Sequence, residues 1–221
     1  MQTVYFVDFD NTVSCVDVWD NIVTRFAQGD GESIVREYDS GQISSREFNR
    51  RLVGMLRADE HEVRSFIMSM EIDPSFQRFV ELVREHDREI LLVSDGYDLY
   101  IQPLLDREGL GYLPYFSNHM EWENGRARAS FPHYRDDCET DMANCKCQYL
   151  RLGETALRRV YIGDGISDIC AARRADVVYA KSDLQRHFEK EGNSFTPFKT
   201  FDDIISLEFG SCYDSINYYM K

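Results

Sequence analysis

The sequence is poor in positive charge, and in lysine above all. Five of its 221 residues are lysine, and 25 Lys and Arg stand against 39 Asp and Glu, which gives a formal charge of −14. A nucleic-acid backbone or an anionic membrane surface binds basic surfaces, so we expect no nucleic-acid and no membrane partner. No apolar run approaches the roughly eighteen residues of a membrane span. A small anionic substrate remains compatible with this charge where a site is locally positive.

The sequence also lacks a secretory signal ahead of its first apolar stretch, and its six cysteines form no paired Cys-x-x-Cys pattern. We therefore expect a cytoplasmic protein with reduced thiols. Cys138, Cys145 and Cys147 lie close together in the sequence, with His133 nearby. Their spacing favours ordinary loop thiols, and a structural zinc site is the alternative.

Three short apolar segments, at residues 4–7, 89–93 and 160–162, predict the strands of a parallel sheet. Each is continuous rather than alternating, as expected for a strand that is buried on both faces. Amphipathic helical segments separate them, so we expect an α/β fold. The other elements predicted for this core are helices at 97–107, 146–154 and 168–174, a strand at 177–180, a final helix around Phe201, and a β-hairpin of residues 116–122 and 126–131.

Four consecutive helical segments after the first strand interrupt the α/β alternation. Their apolar residues recur at helical spacing, as in the series Trp19, Ile22, Val23 and Phe26. Because no strand is predicted among them, residues 14–73 are expected to form a small inserted helical domain. The α/β core then comprises residues 1–13 and 74–221.

Polar side chains follow each of the three predicted strands: Asp8 and Asp10, then Ser94, then Asp164 and Asp168. The carboxyl ends of parallel strands meet at one edge of the sheet, where ligands bind in open α/β folds. Taken alone, Asp8 and Asp10 also fit an Asp-rich turn. Four carboxylates in one small site require a cation, and hard oxygen ligands favour Mg²⁺.

Lys146 supplies the fixed positive charge that such a site needs. It is the only lysine between the second and third of these strand ends, and it begins a predicted helix. Its ammonium and the nearby N–H groups can therefore face an anion together. An exposed loop lysine is the alternative. With a metal ion, these groups form a site for a phosphoryl group.

The motifs resemble those of the haloacid dehalogenase superfamily of phosphatases. They are DFDNT at residues 8–12, Ser94 within LLVSDG, Lys146, and GDGISD at residues 163–168. Within the superfamily the chain resembles the phosphoserine-phosphatase-like branch. The stretch Phe131-Pro132-His133, followed by Cys145-Lys146-Cys147, is similar to the methionine-salvage phosphatases that act on 2-hydroxy-3-keto-5-methylthiopentenyl-1-phosphate. The resemblance implies a three-layer Rossmann-like core, with the helical insertion as its cap domain.

The resemblance also implies a two-step phosphoryl transfer through an aspartyl-phosphate. Asp8 would be the nucleophile, and Asp10 the general acid and then base, with a pKa raised by neighbouring carboxylates. Ser94 would hydrogen-bond a phosphoryl oxygen, and Lys146 would neutralise charge and restrain Asp8. The implied phosphate-binding residues are Phe9, Asp10, Ser94, Asp95, Gly96 and Lys146. The implied Mg²⁺ site comprises Asp8, the Asp10 backbone carbonyl, Asp164, and Asp168 through water or Lys146.

We expect the residues of the cap domain to select the substrate. Asp17 lies nine residues after Asp8. The resemblance implies that an acidic residue at this position faces the amine of the substrate, as in phosphoserine-type enzymes. The alternative is an exposed Asp at the start of a helix. Arg46 and Arg50 lie on a predicted cap helix, where they would either meet a substrate carboxylate or be solvated.

The predicted function is Mg²⁺-dependent hydrolysis of a small phosphorylated metabolite. A phosphotransferase or mutase is the alternative among enzymes. A non-catalytic binding or regulatory protein on a phosphatase scaffold is the alternative from another class.

Overall fold

A computed structural model of the chain describes residues 2–150 and 157–210. Its described strands form one seven-stranded sheet in the order β4-β3-β2-β1-β5-β6-β7. All neighbouring strands are parallel except the β3–β4 pair. The strands are β1 (Gln2–Val7), β2 (Glu89–Tyr97), β3 (Tyr115–Glu123), β4 (Arg126–Ser130), β5 (Leu157–Gly163), β6 (Val177–Ala180) and β7 (Thr196–Pro197).

Ten α-helices belong to the described part of the chain. Four follow β1 directly: α1 (Val18–Phe26), α2 (Gly31–Asp39), α3 (Ser45–Gly54) and α4 (Glu60–Ile67). The others alternate with the later strands: α5 (Phe76–Glu85), α6 (Asp98–Arg107), α7 (Cys147–Leu150), α8 (Ile169–Ala172), α9 (Ser182–Glu191) and α10 (Phe201–Phe209). None of these helices is long and apolar enough to cross a membrane.

The central strand β1 separates two apolar cores. Tyr5 and Val7 point into one core, with residues of α5, α6 and α10, and Val4 and Phe6 point into the other, with residues of α7, α8 and α9. Successive side chains of a strand alternate between faces, so residues 4–7 of β1, which face these two cores in turn, are all apolar. Helices therefore cover both faces of the sheet. The prediction of a three-layer α/β fold with a mostly parallel sheet is confirmed.

The four helices that follow β1 each begin at a polar N-cap. The side chains of Asp17, Asp30, Ser44 and Asp59 accept hydrogen bonds from backbone N–H groups in the first turns of α1, α2, α3 and α4. An isolated bridge joins Ser14 to Ile72, so the chain leaves and re-enters the core region at adjacent points.

The structure extends the sequence predictions in several places. The predicted hairpin is present, with Asn124 and Gly125 at φ angles of 52° and 75°. Strand β2 continues to Tyr97, with an irregular register after Val93, so Ser94 lies within the strand rather than beyond it. Of the helix predicted at 146–154, only Cys147–Leu150 is described, and residues 151–154 lie outside the described residues. Helix α9 and strand β7 were not predicted. Only two residues of α9 are buried, which explains its weak apolar pattern.

Candidate active site

Lys146 joins the ends of β1 and β5. It directly precedes α7, its side chain is 1% exposed, and its Nζ lies 2.6 Å from Asp8 Oδ1 and 2.6 Å from Asp168 Oδ1. The Ser167 hydroxyl lies 3.0 Å from the same Nζ. Burial lowers the pKa of this ammonium, but the carboxylates of Asp168 and Asp8 outweigh burial and raise it above its usual value. Lys146 is therefore held as a cation between two buried carboxylates.

Asp168 is fully buried and accepts four hydrogen bonds. Its Oδ1 accepts from Lys146 and from the Tyr161 hydroxyl, each at 2.6 Å. Its Oδ2 accepts from the backbone N–H groups of Asp164 and Gly165, each at 2.9 Å. These bonds hold Lys146 and the turn after β5 in one arrangement. The Asp168 carboxylate therefore fixes the position of the Lys146 Nζ relative to this turn.

Asp8 is the first residue after β1. Its backbone N–H donates to the Ile162 carbonyl at 3.0 Å, which ties it to the neighbouring strand β5, and the residue is 4% exposed. Burial and the charge of Asp168 raise the pKa of this carboxyl, and Lys146 opposes both effects. One Asp8 oxygen thus contacts a buried cation, an arrangement that suits a positioned nucleophile.

The Asp10 carboxylate is held by partners on α6 and α1. Its Oδ2 accepts from the Tyr100 hydroxyl at 2.5 Å, and its Oδ1 accepts from the backbone N–H of Val18, the first residue of α1, at 2.9 Å. The pKa of Asp10 is raised to about 7, by burial first and by the charge of Asp17 second. The pKa of Asp10 is therefore raised, as expected. Burial contributes more to this rise than the neighbouring carboxylates that the sequence suggested. A carboxyl that titrates near neutrality suits general acid–base chemistry.

Gly96 allows this arrangement of Asp10. A Cβ at Gly96 would overlap the Tyr100 hydroxyl and the Asp10 carboxylate, so no larger residue fits without displacing both. The Gly96 N–H, expected to face phosphate, donates to Ser94 Oγ at 2.9 Å, and that hydroxyl lies 3.5 Å from Asp10 Oδ2.

Asp95 lies beside Ser94 on β2 and is held by two asparagines that the sequence reasoning missed. Its carboxylate accepts from the Asn144 backbone N–H at 2.5 Å and from the Asn118 side chain at 3.3 Å. The Asn144 side chain also donates to the Ser94 carbonyl at 2.8 Å. The loop before Lys146 is thereby fastened to the end of β2. No spacing in the sequence indicated these partners, because they come from separate strands and loops.

Asp8, Asp164 and Asp168 form the one group in the described part of the chain that could hold a metal ion. One carboxylate oxygen from each lies within 4.8 Å of the others. Asn11 and Thr12 donate to Asp164 at 2.5 and 3.3 Å, so its carboxylate is held in place by the turn after β1. Three carboxylates beside one ammonium leave negative charge to be neutralised. Their hard oxygen donors therefore fit a divalent cation.

A cavity of about 360 Å³ opens over these groups. Asp8, Asp10 and Lys146 lie on its core side. Six of its other lining residues come from the helical region that follows β1, and they include the aromatic residues Trp19, Tyr38 and Phe48. The remaining seven come from β2 and from residues 164–183. The sequence analysis placed Trp19 in the apolar series of a helix, because apolar spacing alone does not separate a core position from a cavity wall.

The three predicted specificity residues occupy different places. Asp17 lines the cavity, and its side chain also caps α1 by accepting from the Asp20 N–H at 2.7 Å. Arg46 stacks over the Tyr134 ring at 4.4 Å, and Arg50 pairs with Glu47 at 2.5 Å. Neither arginine is among the residues that line the cavity.

Cys145 and Cys147 place their sulfurs 3.3 Å apart on either side of Lys146. Within residues 2–150 and 157–210, however, no group of three possible ligands that includes a thiol is compact enough to hold a metal. The structure therefore gives no support to the zinc alternative for these cysteines.

The sequence model of the family described as Putative Phosphatase matches residues 3–196. The chain belongs to this family. The "2-hydroxy-3-keto-5-methylthiopentenyl-1-phosphate phosphatase" of Bacillus thuringiensis subsp. konkukian (strain 97-27) is 30% identical over 211 residues, which cover 92% of this chain and 94% of the relative. The protein of the same name from Bacillus cereus (strain B4264) is 29% identical over the same share of each chain.

Solved phosphoserine phosphatases share the fold of this Putative Phosphatase family member. A phospho-aspartyl intermediate analogue of phosphoserine phosphatase superposes with a TM-score of 0.67 at 18% identity, covering 94% of this chain and 98% of the other. A substrate-bound phosphoserine phosphatase superposes with a TM-score of 0.68 at 17% identity, covering 95% and 98%. The predicted membership of the haloacid dehalogenase-like phosphatases is confirmed. The enzyme is a phosphomonoester phosphatase.

Proposed function

We propose that this phosphatase hydrolyses 2-hydroxy-3-keto-5-methylthiopentenyl-1-phosphate, or a phosphate monoester close to it in size and polarity, with Mg²⁺ as its cofactor. The observation that carries the proposal is the two-sided cavity. Asp8 and Lys146 on the core side suit a phosphoryl group, and the aromatic cap residues on the other side suit an apolar, sulfur-bearing chain. The names of the relatives supply the identity of the compound.

In the proposed reaction, an Asp8 oxygen attacks phosphorus and displaces the substrate alkoxide, which leaves an aspartyl-phosphate. Asp10 donates a proton to the leaving oxygen, and its pKa of about 7 leaves it protonated in a large share of molecules at neutral pH. Asp10 then accepts a proton from the water that attacks the aspartyl-phosphate. Phosphate is released, and both carboxyl groups return to their starting states.

Lys146 and Ser94 have supporting roles in this proposal. Lys146 holds one Asp8 oxygen at 2.6 Å, which orients the other toward the cavity, and its charge offsets the charge that develops on the phosphoryl oxygens. The Ser94 hydroxyl is positioned by the Gly96 N–H to meet a phosphoryl oxygen. The backbone N–H groups of Phe9, Asp10 and Asp95 are proposed as further phosphate donors. The Gly96 N–H, which the sequence suggested for the same role, donates to Ser94 Oγ instead.

Mg²⁺ would be held by Asp8, Asp164 and the Asp10 backbone carbonyl, with Asp168 orienting the site through its four hydrogen bonds. The ion would neutralise phosphoryl charge that Lys146 alone does not balance. A divalent ion is supported by the carboxylate group. The choice of Mg²⁺ rests on the preference of small hard cations for oxygen donors.

We propose residues 14–73 as the cap domain and residues 1–13 and 74–221 as the catalytic core. The cap would enclose the substrate and exclude bulk water. The bridge between Ser14 and Ile72 supports this division, because it brings the two ends of the proposed insertion together. Enclosure favours a small metabolite as substrate.

A phosphoserine-type substrate is the second candidate, because Asp17 lines the cavity where an amine could pair with it. Steady-state release of inorganic phosphate from the two compounds, with Mg²⁺ present, distinguishes the candidates. We expect a kcat/KM at least about a hundredfold higher for the methylthio compound. A preference for phosphoserine that is lost in Asp17→Asn would establish the second candidate instead.

The same assay tests the cofactor and the wall of the cavity. EDTA is expected to abolish turnover, and added Mg²⁺ to restore it better than Ca²⁺. Phe48→Ala is expected to raise KM for the methylthio compound with little effect on p-nitrophenyl phosphate. Phe66→Ala is the matched control, at a cap position packed against Phe26. It should change neither the KM for the methylthio compound nor the hydrolysis of p-nitrophenyl phosphate. Asp8→Asn should abolish turnover of every substrate, and its full activity would rule out the proposed nucleophile.

A further inference from the structure

A carboxylate from the loop after β4 reaches the start of a helix in the proposed cap. Oδ2 of Asp141 accepts from the backbone N–H of Ser45, the first residue of α3, at 2.8 Å, and its Oδ1 accepts from the Tyr134 hydroxyl at 3.0 Å. The side chain of Ser44 already binds a different N–H group of this helix, that of Glu47. A helix start leaves four N–H groups open and favours negative charge nearby. Asp141 therefore stabilises the start of α3 from outside the proposed cap.

A second contact holds the same serine. The backbone N–H of Ala143 donates to Ser45 Oγ at 3.0 Å. Ser45 is 2% exposed and Ala143 is fully buried, so water competes little for this hydrogen bond. Ser45 is thus bound through its backbone and through its side chain by two residues of one loop. We call the contacts of Asp141 and Ala143 with Ser45 the clasp.

The clasp sets the position of residues that line the cavity of the candidate active site. Ser45, Phe48 and Asn49 all belong to α3 and line this cavity. Oδ1 of Asn49 accepts from the Tyr97 hydroxyl at 3.2 Å, and its Nδ2 donates to the Ser45 carbonyl at 3.0 Å. Asp141 itself is not among the residues that line the cavity. An effect of Asp141 on the bound substrate must therefore be transmitted by α3.

The phosphoryl site has its own anchors in the same loop. Asn144 donates to the Asp95 carboxylate and to the Ser94 carbonyl. Two residues further on, the Lys146 ammonium contacts the Asp8 carboxylate. None of these bonds involves the clasp. Loss of the clasp is therefore expected to release α3 while the phosphoryl site stays in place.

We propose that Asp141 is a positioning residue that holds α3, and with it the apolar wall at Phe48, over the phosphoryl site. The inference rests on the proposed phosphatase function, because it assigns to the clasp the binding of the organic part of the substrate. The φ angle of Asp141, 46°, lies in the left-handed region that Asn and Gly adopt readily. Asp141→Gly therefore removes the carboxylate without new backbone strain. Asp141→Asn keeps an oxygen that can accept from the Ser45 N–H.

Steady-state kinetics separate the clasp from the phosphoryl site. In Asp141→Gly we expect KM for the preferred substrate to rise about tenfold, the size expected for the loss of one hydrogen bond to a charged group. The kcat for p-nitrophenyl phosphate should stay within about twofold, since the contacts of Lys146 and Asn144 remain. Asp141→Asn should restore KM to within about threefold of wild type. Asp136→Gly, at an exposed Asp of the same loop, is the matched control and should change neither value.

Quenching of Trp19 fluorescence by acrylamide tests the clasp without any substrate. Trp19 on α1 also lines the cavity, and its ring lies 4.8 Å from that of Tyr97. The chain has two tryptophans, so Trp122→Phe leaves Trp19 as the reporter. In that background, Asp141→Gly should raise the quenching constant about twofold, because release of α3 opens the cavity to the quencher. Asp141→Asn should leave the quenching constant unchanged.

An unchanged KM or an unchanged quenching constant in Asp141→Gly would overturn the proposal. An equal rise of KM in Asp141→Asn would overturn it as well, because the hydrogen bond to Ser45 would then not explain the effect. The same holds for a fall of kcat with p-nitrophenyl phosphate as large as the rise of KM. Absence of turnover in the wild-type enzyme would instead count against the phosphatase function, and the quenching experiment would still test the clasp.

Discussion

The hydroxyl of Tyr100 donates to Oδ2 of Asp10 at 2.5 Å, although the two residues are ninety positions apart in the sequence. Tyr100 is fully buried on α6, where its ring also lies 6.1 Å from that of Phe9. The pair places a hydroxyl on the carboxyl group that is proposed to carry the proton. Its geometry makes Tyr100 a positioning residue for Asp10.

Replacing Tyr100 by Phe is expected to shift the pH dependence of the reaction. The Tyr100 hydrogen bond lowers the pKa of Asp10, so its loss raises that pKa above about 7. Asp10 must be protonated to act as an acid, and the alkaline limb of kcat/KM for an alkyl phosphate should therefore move to higher pH. p-Nitrophenyl phosphate is the internal control, because its leaving group needs little protonation. Identical alkaline limbs in variant and wild type would show that Tyr100 does not set the pKa of Asp10.

Gly96→Ala is expected to impair catalysis by displacing both members of this pair. Its Cβ would overlap the Tyr100 hydroxyl and the Asp10 carboxylate in a fully packed region. We expect kcat to fall by about a hundredfold, since catalytic groups tolerate little displacement. Gly54→Ala, where a Cβ has open space within 4 Å, is the matched control and should leave kcat unchanged. Equal effects of the two substitutions would contradict the steric argument.

Lys146→Met is expected to reduce stability and to make it depend on pH. The substitution leaves the buried carboxylates of Asp8 and Asp168 without their cation, at a cost of about 3–5 kcal/mol. The folded-state pKa of Asp8, already raised by burial, rises further. A raised pKa gives stability that is lost as pH increases, so the variant should differ most from wild type at pH 8 and less at pH 5.

Urea unfolding of metal-free protein at the two pH values measures this effect. Lys190→Met on the exposed side of α9 is the control, and its free energy of unfolding should change by less than about 0.5 kcal/mol. A loss of stability in Lys146→Met that is the same at both pH values would contradict the role assigned to Asp8.

Glu208→Gln is expected to reduce stability without affecting catalysis. The Glu208 carboxylate on α10 accepts from the hydroxyls of Tyr5 and Tyr179 and pairs with Arg88 and Arg158. None of these residues lines the cavity over Asp8. Burial alone would raise its pKa, but the hydrogen bonds from Arg158, Tyr179 and Tyr5 lower it to about 2. Removing the charge should cost about 2–3 kcal/mol at pH 7, because two partly buried arginines lose their counter-ion.

The depressed pKa of Glu208 fixes the direction of the pH effect. Its contribution is present above the unfolded-state pKa and is lost as pH falls through about 2. The difference in unfolding free energy between Glu208→Gln and wild type should therefore shrink below about pH 4.5. Thermal and urea unfolding measure it, with Glu85→Gln on the exposed side of α5 as the control. A change in kcat would contradict this expectation, because it would show that a substitution on α10 alters the active site.

Much of the fold was predictable because its strands carry local signals. A parallel strand buried on both faces has to be apolar at every position, as in residues 4–7, and that run is visible without any partner. The hairpin was visible for a similar reason, because Asn124-Gly125 suits the left-handed turn. Helix α9 was missed because only Leu184 and Phe188 are buried, so its formation depends on tertiary packing.

The sequence by itself determined which chemical groups are available: Asp8 and Asp164 directly follow β1 and β5, Ser94 lies in the second half of β2, and Lys146 directly precedes α7. Sheet topology brings the ends of parallel strands to one edge. Only the tertiary structure decided which of these groups contact one another. It placed Lys146 on Asp8 and Asp168, turned Asp10 toward Tyr100, and lined the cavity with aromatic cap residues while Arg46 and Arg50 lie elsewhere. The reason is physical. A pattern along the chain reports burial and strand order, whereas hydrogen bonds and pKa values depend on distances between residues far apart in sequence.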